Sequence, residues 1–234
     1  MSSLDSAITT AAASLVAQGK VLGVTADNIA NLSTPGYKRG EVSIVSGVSQ
    51  IPEIFLRRDL SQGAIAPTGN PNDLAIAGNG FFQVTLPNGG VAFTRAGEFG
   101  LSASAVMVDV NGNPVVGPTQ TNPAGGPVTV SASGVVSQTV NGTSQVLGQI
   151  DLATFPNAGG LSAESGNLLS PSAASGQPVP GGDGSRIIQG AVEAPNVDLA
   201  QELITMITAK AVYTASARVI TTADSMEKRL LQIV

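Results

Sequence analysis

The end of the chain, from Val197 to Val234, contains neither glycine nor proline. Apolar residues recur there at spacings of three and four, which is typical of an amphipathic helix, and Asp198 can cap its first turn. Lys228 and Arg229 fall in the last turns, where cations complement the helix dipole. The sequence therefore predicts a long C-terminal helix with an assembly stripe made of Leu199, Leu203, Met206, Val212, Val219, Met226 and Leu230.

The N-terminal segment has an apolar pattern with a period of seven, which is typical of a coiled-coil-like seam. Gln18 and Thr25 dilute the neighbouring row, and Gly19 and Gly23 each cost about 1 kcal/mol relative to alanine inside a helix. This helix is therefore expected to need a partner. The two stripes either form an intramolecular two-helix core or also meet helices of neighbouring subunits. The N-terminal row consists of Ile8, Leu15, Leu22 and Ile29.

The middle of the chain alternates short apolar runs with glycine-rich turns. Asn88-Gly89, Asn111-Gly112 and Asn141-Gly142 are each a strong signal for a hairpin turn. We predict an α+β protein: long terminal helices form a coiled-coil-like layer, and the middle domain is antiparallel and all-β, partly barrel-like. The predicted parts are residues 1–48 (assembly helix and elbow), 49–190 (β-rich domain) and 191–234 (C-terminal assembly helix).

Composition excludes several kinds of chemistry. The 234 residues contain no cysteine and no histidine, so thiolate chemistry and the commonest general base and metal ligand are absent. The net charge of −5 argues against nucleic-acid binding, which needs a basic patch. We predict no catalytic residue, no cofactor and no metal.

Two short motifs resemble ligand sites only in part. Asp109–Asn113 has oxygen ligands at alternate positions, as a calcium loop does, but Pro114 and Gln120 replace the required glycine and glutamate, so a hairpin turn is predicted instead. Gly181–Arg186 resembles an anion nest but lacks the strand and helix that accompany a phosphate loop. Two alternatives stay open, a surface adhesin and a carbohydrate-active enzyme using carboxylates such as Asp73, Glu98, Asp109 and Asp151.

The N-terminus carries no cation before Lys20, so the charged region of a secretory signal is missing. No window approaches the roughly 18 uninterrupted apolar residues of a membrane span. We therefore expect no membrane insertion, and either a cytoplasmic location or export without a cleavable signal.

Several separated segments together resemble the bacterial flagellar rod and hook protein family. They are Ala30–Lys38, Thr68–Val84, Phe93–Phe99, Asn111–Gly117 and Gly190–Met226, and they occur in the order that the family shows. The first segment, "ANLSTPGYK", carries an elbow motif consisting of Asn31, Thr34, Pro35, Gly36, Tyr37 and Lys38.

The resemblance implies a subunit of the basal-body rod that polymerises into a helical drive shaft and transmits torque across the periplasm. Its implied partners are copies of itself, other flagellar rod and hook proteins and the flagellar type III export apparatus. The chain looks most like the proximal rod protein that carries a middle domain, and next most like the distal rod protein; a hook subunit is a further alternative.

The elbow motif itself predicts a specific geometry. Asn31 suits a left-handed helix end, and Pro35 prevents the helix from continuing. Pro35 and Gly36 fit the middle of a type II turn, in which Gly36 has a positive φ. Tyr37 and Lys38 are expected to contact the next subunit.

Overall fold

The computed structural model describes residues 2–46, 52–118, 120–181 and 184–231. The chain divides into two compact units. The first, here called the helical unit, comprises residues 1–32, 39–58 and 197–234, and the second, the β unit, comprises residues 33–38 and 59–196. In this division a hairpin within residues 39–58 groups with the helices, and residues 33–38, which include all of the elbow motif except Asn31, group with the strands.

The helical unit contains two long helices, α1 (Ser2–Ala30) and α2 (Leu199–Leu231), which pack along each other. A hairpin of β1 (Gly40–Ser46) and β2 (Pro52–Arg58) packs beside α1. The predicted cap of α2 is confirmed, because an Asp198 carboxylate oxygen accepts the Ala200 backbone N–H at 2.8 Å. Both predicted terminal helices are therefore present.

The β unit is built from short strands that pair only in antiparallel fashion. None of the sheets in the described part of the chain closes into a barrel, so the partly barrel-like prediction is not met. The strands are β3 (Ile65–Pro67), β4 (Leu74–Ala77), β5 (Phe82–Thr85), β6 (Val91–Thr94), β7 (Gly100–Leu101), β8 (Met107–Val108), β9 (Val128–Val130), β10 (Val135–Val140), β11 (Thr143–Gln149), β12 (Ala153–Thr154), β13 (Ser162–Ala163), β14 (Leu169–Ser170), β15 (Val179–Pro180), β16 (Arg186–Gln189) and β17 (Ala191–Glu193).

The first and last strands of the β unit pair with each other. β3 pairs with β17, and β4 pairs with β16. The longest hairpin of the β unit, β10–β11, turns at Asn141 and Gly142, whose φ values of 51° and 80° match the type I′ turn that their sequence predicts. The β5–β6 hairpin turns through Asn88-Gly89, also as predicted.

Aromatic side chains hold the core of the β unit. The rings of Phe82 and Phe99 meet edge to face with centroids 5.1 Å apart. A second cluster joins Phe81 and Phe93 to Phe155, whose ring packs edge-on against both. With no tryptophan in the chain, these few phenylalanines supply most of the aromatic area that is buried.

Candidate functional site

Small and polar side chains line the seam between α1 and α2. One row of α2 repeats every seven residues and is buried, and the hydroxyl of Ser216 lies 3.0 Å from that of Ser14 across the seam. Such residues let two helix backbones approach closely. The buried positions are Ala11, Ala17, Thr25 and Asn28 on α1 and Glu202, Ala209, Ser216 and Ala223 on α2.

The large apolar residues that the sequence predicts for assembly do not fill this seam. On α1 the predicted row, Ile8, Leu15, Leu22 and Ile29, is half-buried, as is Met206 on α2. The other described members, Leu199, Leu203, Val212, Val219 and Met226, are exposed on this single subunit. The side chain of Leu230 lies outside the described residues. A regular coiled coil within the subunit is therefore not confirmed, because small and polar residues occupy the buried row and the larger side chains are half-buried or exposed.

Two polar contacts fix β1 within the helical unit. Asn28 at the end of α1 bonds both backbone groups of Gly40, donating to its carbonyl at 2.9 Å and accepting its N–H at 2.8 Å. Arg39 donates to the buried Glu202 carboxylate on α2 at 2.5 Å, and this hydrogen bond raises the pKa of Arg39 above its usual value. Both helices are thus tied to the start of the same strand.

The elbow forms the predicted turn. The Tyr37 N–H bonds the Thr34 carbonyl at 3.2 Å, and Gly36 has a φ of 69°, as a type II turn with Pro35 before it requires. The prediction for Asn31 is wrong, since it does not adopt a positive φ. Its side-chain amide instead donates to the Asp27 carbonyl at 2.8 Å, which also accepts the Asn31 backbone N–H at 3.2 Å, so Asn31 closes the last turn of α1 with two bonds.

A buried carboxylate lies beneath the elbow. Glu193, the last residue of β17, is fully buried, and its Oε1 accepts the Lys38 ammonium at 2.6 Å and the Gly63 N–H at 2.7 Å. Its Oε2 lies 3.3 Å from the Arg95 guanidinium. We call Lys38, Arg95 and Glu193 the clasp.

The cations of the clasp have further partners. Lys38 also donates to the Ser61 carbonyl at 2.6 Å, and Arg95 donates to the Gly78 carbonyl at 2.7 Å while lying over the Phe81 ring. Burial lowers the pKa of Lys38 and of Arg95, and the Glu193 carboxylate opposes this shift in both. The clasp therefore holds charged groups where water would otherwise solvate them, so each needs its partners.

The clasp corrects one expectation from the sequence. Tyr37 and Lys38 are buried within the β unit, so the prediction that they contact the next subunit is wrong. The turn presses so closely on Arg95 and Ala96 that a Cβ atom at Gly36 would lie 2.3 Å from the Ala96 nitrogen. Pro35 also accepts a bond from the Asn167 amide at 3.2 Å. The elbow is thus embedded in its own subunit.

Sequence reasoning missed Arg95 and Glu193 as partners of Lys38. A signal was present, since each is a charged residue inside a largely apolar stretch, and both lie in segments that carry the family resemblance. Their contact could not be read from spacing, because Lys38 and Glu193 are 155 positions apart.

Two of the carboxylates weighed as catalytic or metal-binding residues, Asp73 and Asp109, form hydrogen bonds within their own turns. Asp109 accepts the N–H groups of Asn111 and Asn113, and Asp73 accepts Thr68 and Asn70 side chains. Among the described residues no group of acidic side chains is arranged to hold a metal ion. Residues 182 and 183 of the anion-nest motif lie outside the described residues.

By length and composition alone, Leu4–Ala30 and Leu199–Arg229 could each cross a membrane. Helices that pack in soluble proteins can share this composition. α2 carries Lys210 and Arg218 in its middle, and a cation at the centre of a bilayer costs about 3 kcal/mol or more. The composition therefore favours protein–protein packing for α2.

Three family profiles match the chain in succession. The profile described as flagella basal body rod protein matches residues 8–38, that of the flagellar hook protein FlgE/F/G D1 domain matches residues 75–138, and that of the flagellar basal body rod FlgEFG protein C-terminal matches residues 188–233. Each matched segment supplies one member of the clasp: Lys38, Arg95 and Glu193 in turn.

Proteins from several bacteria are similar over nearly the whole chain. The flagellar basal-body rod protein FlgG of Caulobacter vibrioides is 35% identical over 259 residues, covering 97% of this chain and 98% of the relative. The chain belongs to the flagellar basal-body rod protein family. FlgG of Borreliella burgdorferi is 32% identical, covering 94% of this chain and 95% of the relative, and FlgF of Caulobacter vibrioides is 30% identical, covering 90% of each. The resemblance predicted from the sequence is confirmed, and the chain is a structural rod protein rather than an enzyme.

Proposed function

We propose that this rod-family protein polymerises through its two terminal helices into the helical drive shaft of the flagellar basal body, and that the shaft transmits torque across the periplasm. One observation carries the proposal: α2 places Ala209, Ser216 and Ala223 in the intramolecular seam and leaves most of its large apolar residues exposed. Exposed apolar side chains along a helix are usual where another protein covers them. In the assembled shaft these stripes complete the coiled-coil-like layer.

The shaft requires an interface of a particular symmetry. A head-to-tail contact between unlike surfaces extends without limit when its rotation does not close, and so builds a helix rather than a ring. The proposed neighbours are copies of this chain and other rod or hook proteins. The choice of the proximal rod over the distal rod stays a prediction, since relatives named FlgG and FlgF both match.

We also propose how the chain reaches the rod. The flagellar type III export apparatus is proposed to export the chain without a cleavable signal peptide. The absence of cysteine suits a chain that crosses an apparatus unfolded, because no disulfide can form before or after transit.

Charge substitution in the exposed stripe tests the function. Val219→Asp places a carboxylate on an exposed position of α2, and Leu15→Asp does so on the half-buried row of α1. Val110→Asp is the matched control, since Val110 is an exposed valine in the β unit. In cells that lack the wild-type gene, we expect the two helix variants to abolish rod assembly and swimming, and the control to retain both. Swimming by either helix variant would contradict the assignment of the stripes.

A further inference from the structure

A groove runs along the helical unit between α1 and the β1–β2 hairpin. Its volume is about 630 Å³, and we call it the α1–hairpin groove. Gly19 and Gly23 form its floor, and a Cβ atom added to either would have no neighbour within 4 Å. A floor without side chains lets another backbone approach closely, as helix–helix contacts through small residues do. The apolar walls are Val16, Val42, Ile54 and Leu56.

The exposed face of α2 has the shape that would fill such a groove. Leu203, Ile204 and Ile207 are 45%, 59% and 69% exposed, and we call them the α2 ridge. The hydroxyls of Thr205 and Thr208 donate to the carbonyls four residues earlier, each at 2.9 Å. Because these donors are already satisfied, the ridge could be covered without leaving an unpaired polar group.

The ridge and the groove lie away from the seam on their respective helices. Ile204 and Gly23 each lie two positions from a seam residue, Glu202 and Thr25, which is about 200° around an α-helix. The ridge therefore faces away from α1, and the groove floor faces away from α2. A subunit cannot fill its own groove with its own ridge, so a contact between the two must join different copies.

Charges favour the same pairing. Asp27 lines the groove and Lys210 lies one turn beyond Ile207, and neither takes part in an ion pair within the described residues. Both are exposed, so an intermolecular pair would bury little charge. Lys20, the other charge in the groove, is also exposed and can keep its ammonium in water along its flexible stem.

We infer that the α2 ridge of one copy docks into the α1–hairpin groove of the next copy. The inference rests on the proposed function and deepens it, because it names the two surfaces of the polymer contact. The surfaces are unlike and lie on different faces, so the contact is heterologous and can repeat from copy to copy. Gly19 and Gly23, which weaken α1 as an isolated helix, are then the residues that admit the neighbouring helix.

Cross-linking in the naturally cysteine-free chain tests this pairing. Leu56→Cys in the groove wall and Ile207→Cys on the ridge are combined in one chain, which replaces the wild-type protein in flagellated cells. A disulfide needs Cα atoms within about 7 Å, so mild oxidation should give a ladder of covalent multimers only if ridge meets groove. Each single-cysteine variant is a control and should stay monomeric on a denaturing gel.

Swimming cells whose double variant gives no multimers would overturn the docking while leaving the proposed function intact. A ladder from Ile207→Cys alone would also overturn it, because like surfaces would then be in contact. If the first pair stops swimming, Val16→Cys with Ile204→Cys tests the same contact.

Charge reversal gives a second readout of the same contact. Asp27→Lys should reduce assembled rods, and adding Lys210→Asp should restore them; failure of this restoration together with absent cross-links counts against the docking. Flotation of the purified wild-type chain with phosphatidylglycerol vesicles that is lost in Ile207→Asp would instead identify the ridge as a lipid-facing surface and overturn the inference.

Discussion

The Lys38 ammonium lies 2.6 Å from the Glu193 carboxylate, and both side chains are buried in the β unit. The same carboxylate also faces the Arg95 guanidinium at 3.3 Å. One anion therefore serves two buried cations, and the three residues hold together three distant parts of the chain. The loss of the anion and the loss of one cation should have unequal effects.

Glu193→Gln should destabilise the protein more than Lys38→Met. The glutamine leaves two cations buried without a carboxylate, and removing one partner of a buried pair costs about 3–5 kcal/mol. The methionine keeps the Arg95–Glu193 pair and should cost less. Urea unfolding followed by circular dichroism of the β unit measures both. An equal or larger loss for Lys38→Met would show that the carboxylate is not the centre of the clasp.

Stability should also depend on pH through Lys38. Burial lowers its pKa below the ordinary 10.5, so between the folded pKa and 10.5 the unfolded chain binds more protons than the folded one. The free energy of unfolding should therefore rise with pH in that window. Glu193, Arg95 and Asp59 surround the ammonium in the wild type and remain in Lys38→Met, which serves as the reference.

The measurement is urea unfolding of both proteins from neutral pH to pH 10.5. We expect the wild type to gain stability relative to Lys38→Met as pH rises through the window. A difference that stays flat, or that falls, would mean that burial does not depress the Lys38 pKa.

Gly36→Ala should be far more damaging than Gly89→Ala. Both glycines have positive φ, 69° and 82°, so alanine at either site should lower the free energy of unfolding by roughly 1–2 kcal/mol through backbone strain. At Gly36 the added methyl would also meet the Ala96 backbone at 2.3 Å, whereas at Gly89 nothing lies within 4 Å. Thermal unfolding of the two variants compares them, and similar melting temperatures would contradict the close packing of the elbow.

The helices should be the least protected part of the free subunit. The seam of α1 and α2 buries mainly small side chains, which supply little apolar area, while the β unit encloses Phe82 and Val84 completely. Amide hydrogen exchange on the monomer should therefore be fast from Ile8 to Ile29 and slow in β5. Strong protection of α1 without polymer would disagree with a helix that needs its neighbours.

Features that depend on neighbouring residues could be predicted from the sequence. Asp198 caps α2, and Asn141-Gly142 makes the tight turn, because each uses local backbone geometry. The terminal helices and the antiparallel β-rich middle follow from hydrophobic periods and turn residues in the same way. The assembly role of the apolar stripe on α2 stays a prediction.

Features that depend on distant contacts could not be predicted. The period of seven on α1 reveals an apolar row but not which side of α1 faces α2. On α2, the small residues Ala209 and Ser216 are buried in the seam, and the larger apolar residues nearby are mostly exposed. The sequence around Lys38 also does not show that the Glu193 carboxylate lies against its ammonium. The assignment of β1 and β2 to the helical unit likewise depends on packing that no local pattern shows.

Locating the protein within isolated basal bodies tests whether it is a subunit of the rod. A short epitope tag inserted at the exposed Asn88–Gly90 turn, with swimming retained, can be labelled and imaged by electron microscopy. We expect label confined to the rod, and we expect the rod to be missing when Val219→Asp is the only copy made. Label on the cell surface, or in the culture medium while intact rods form without the protein, would contradict it.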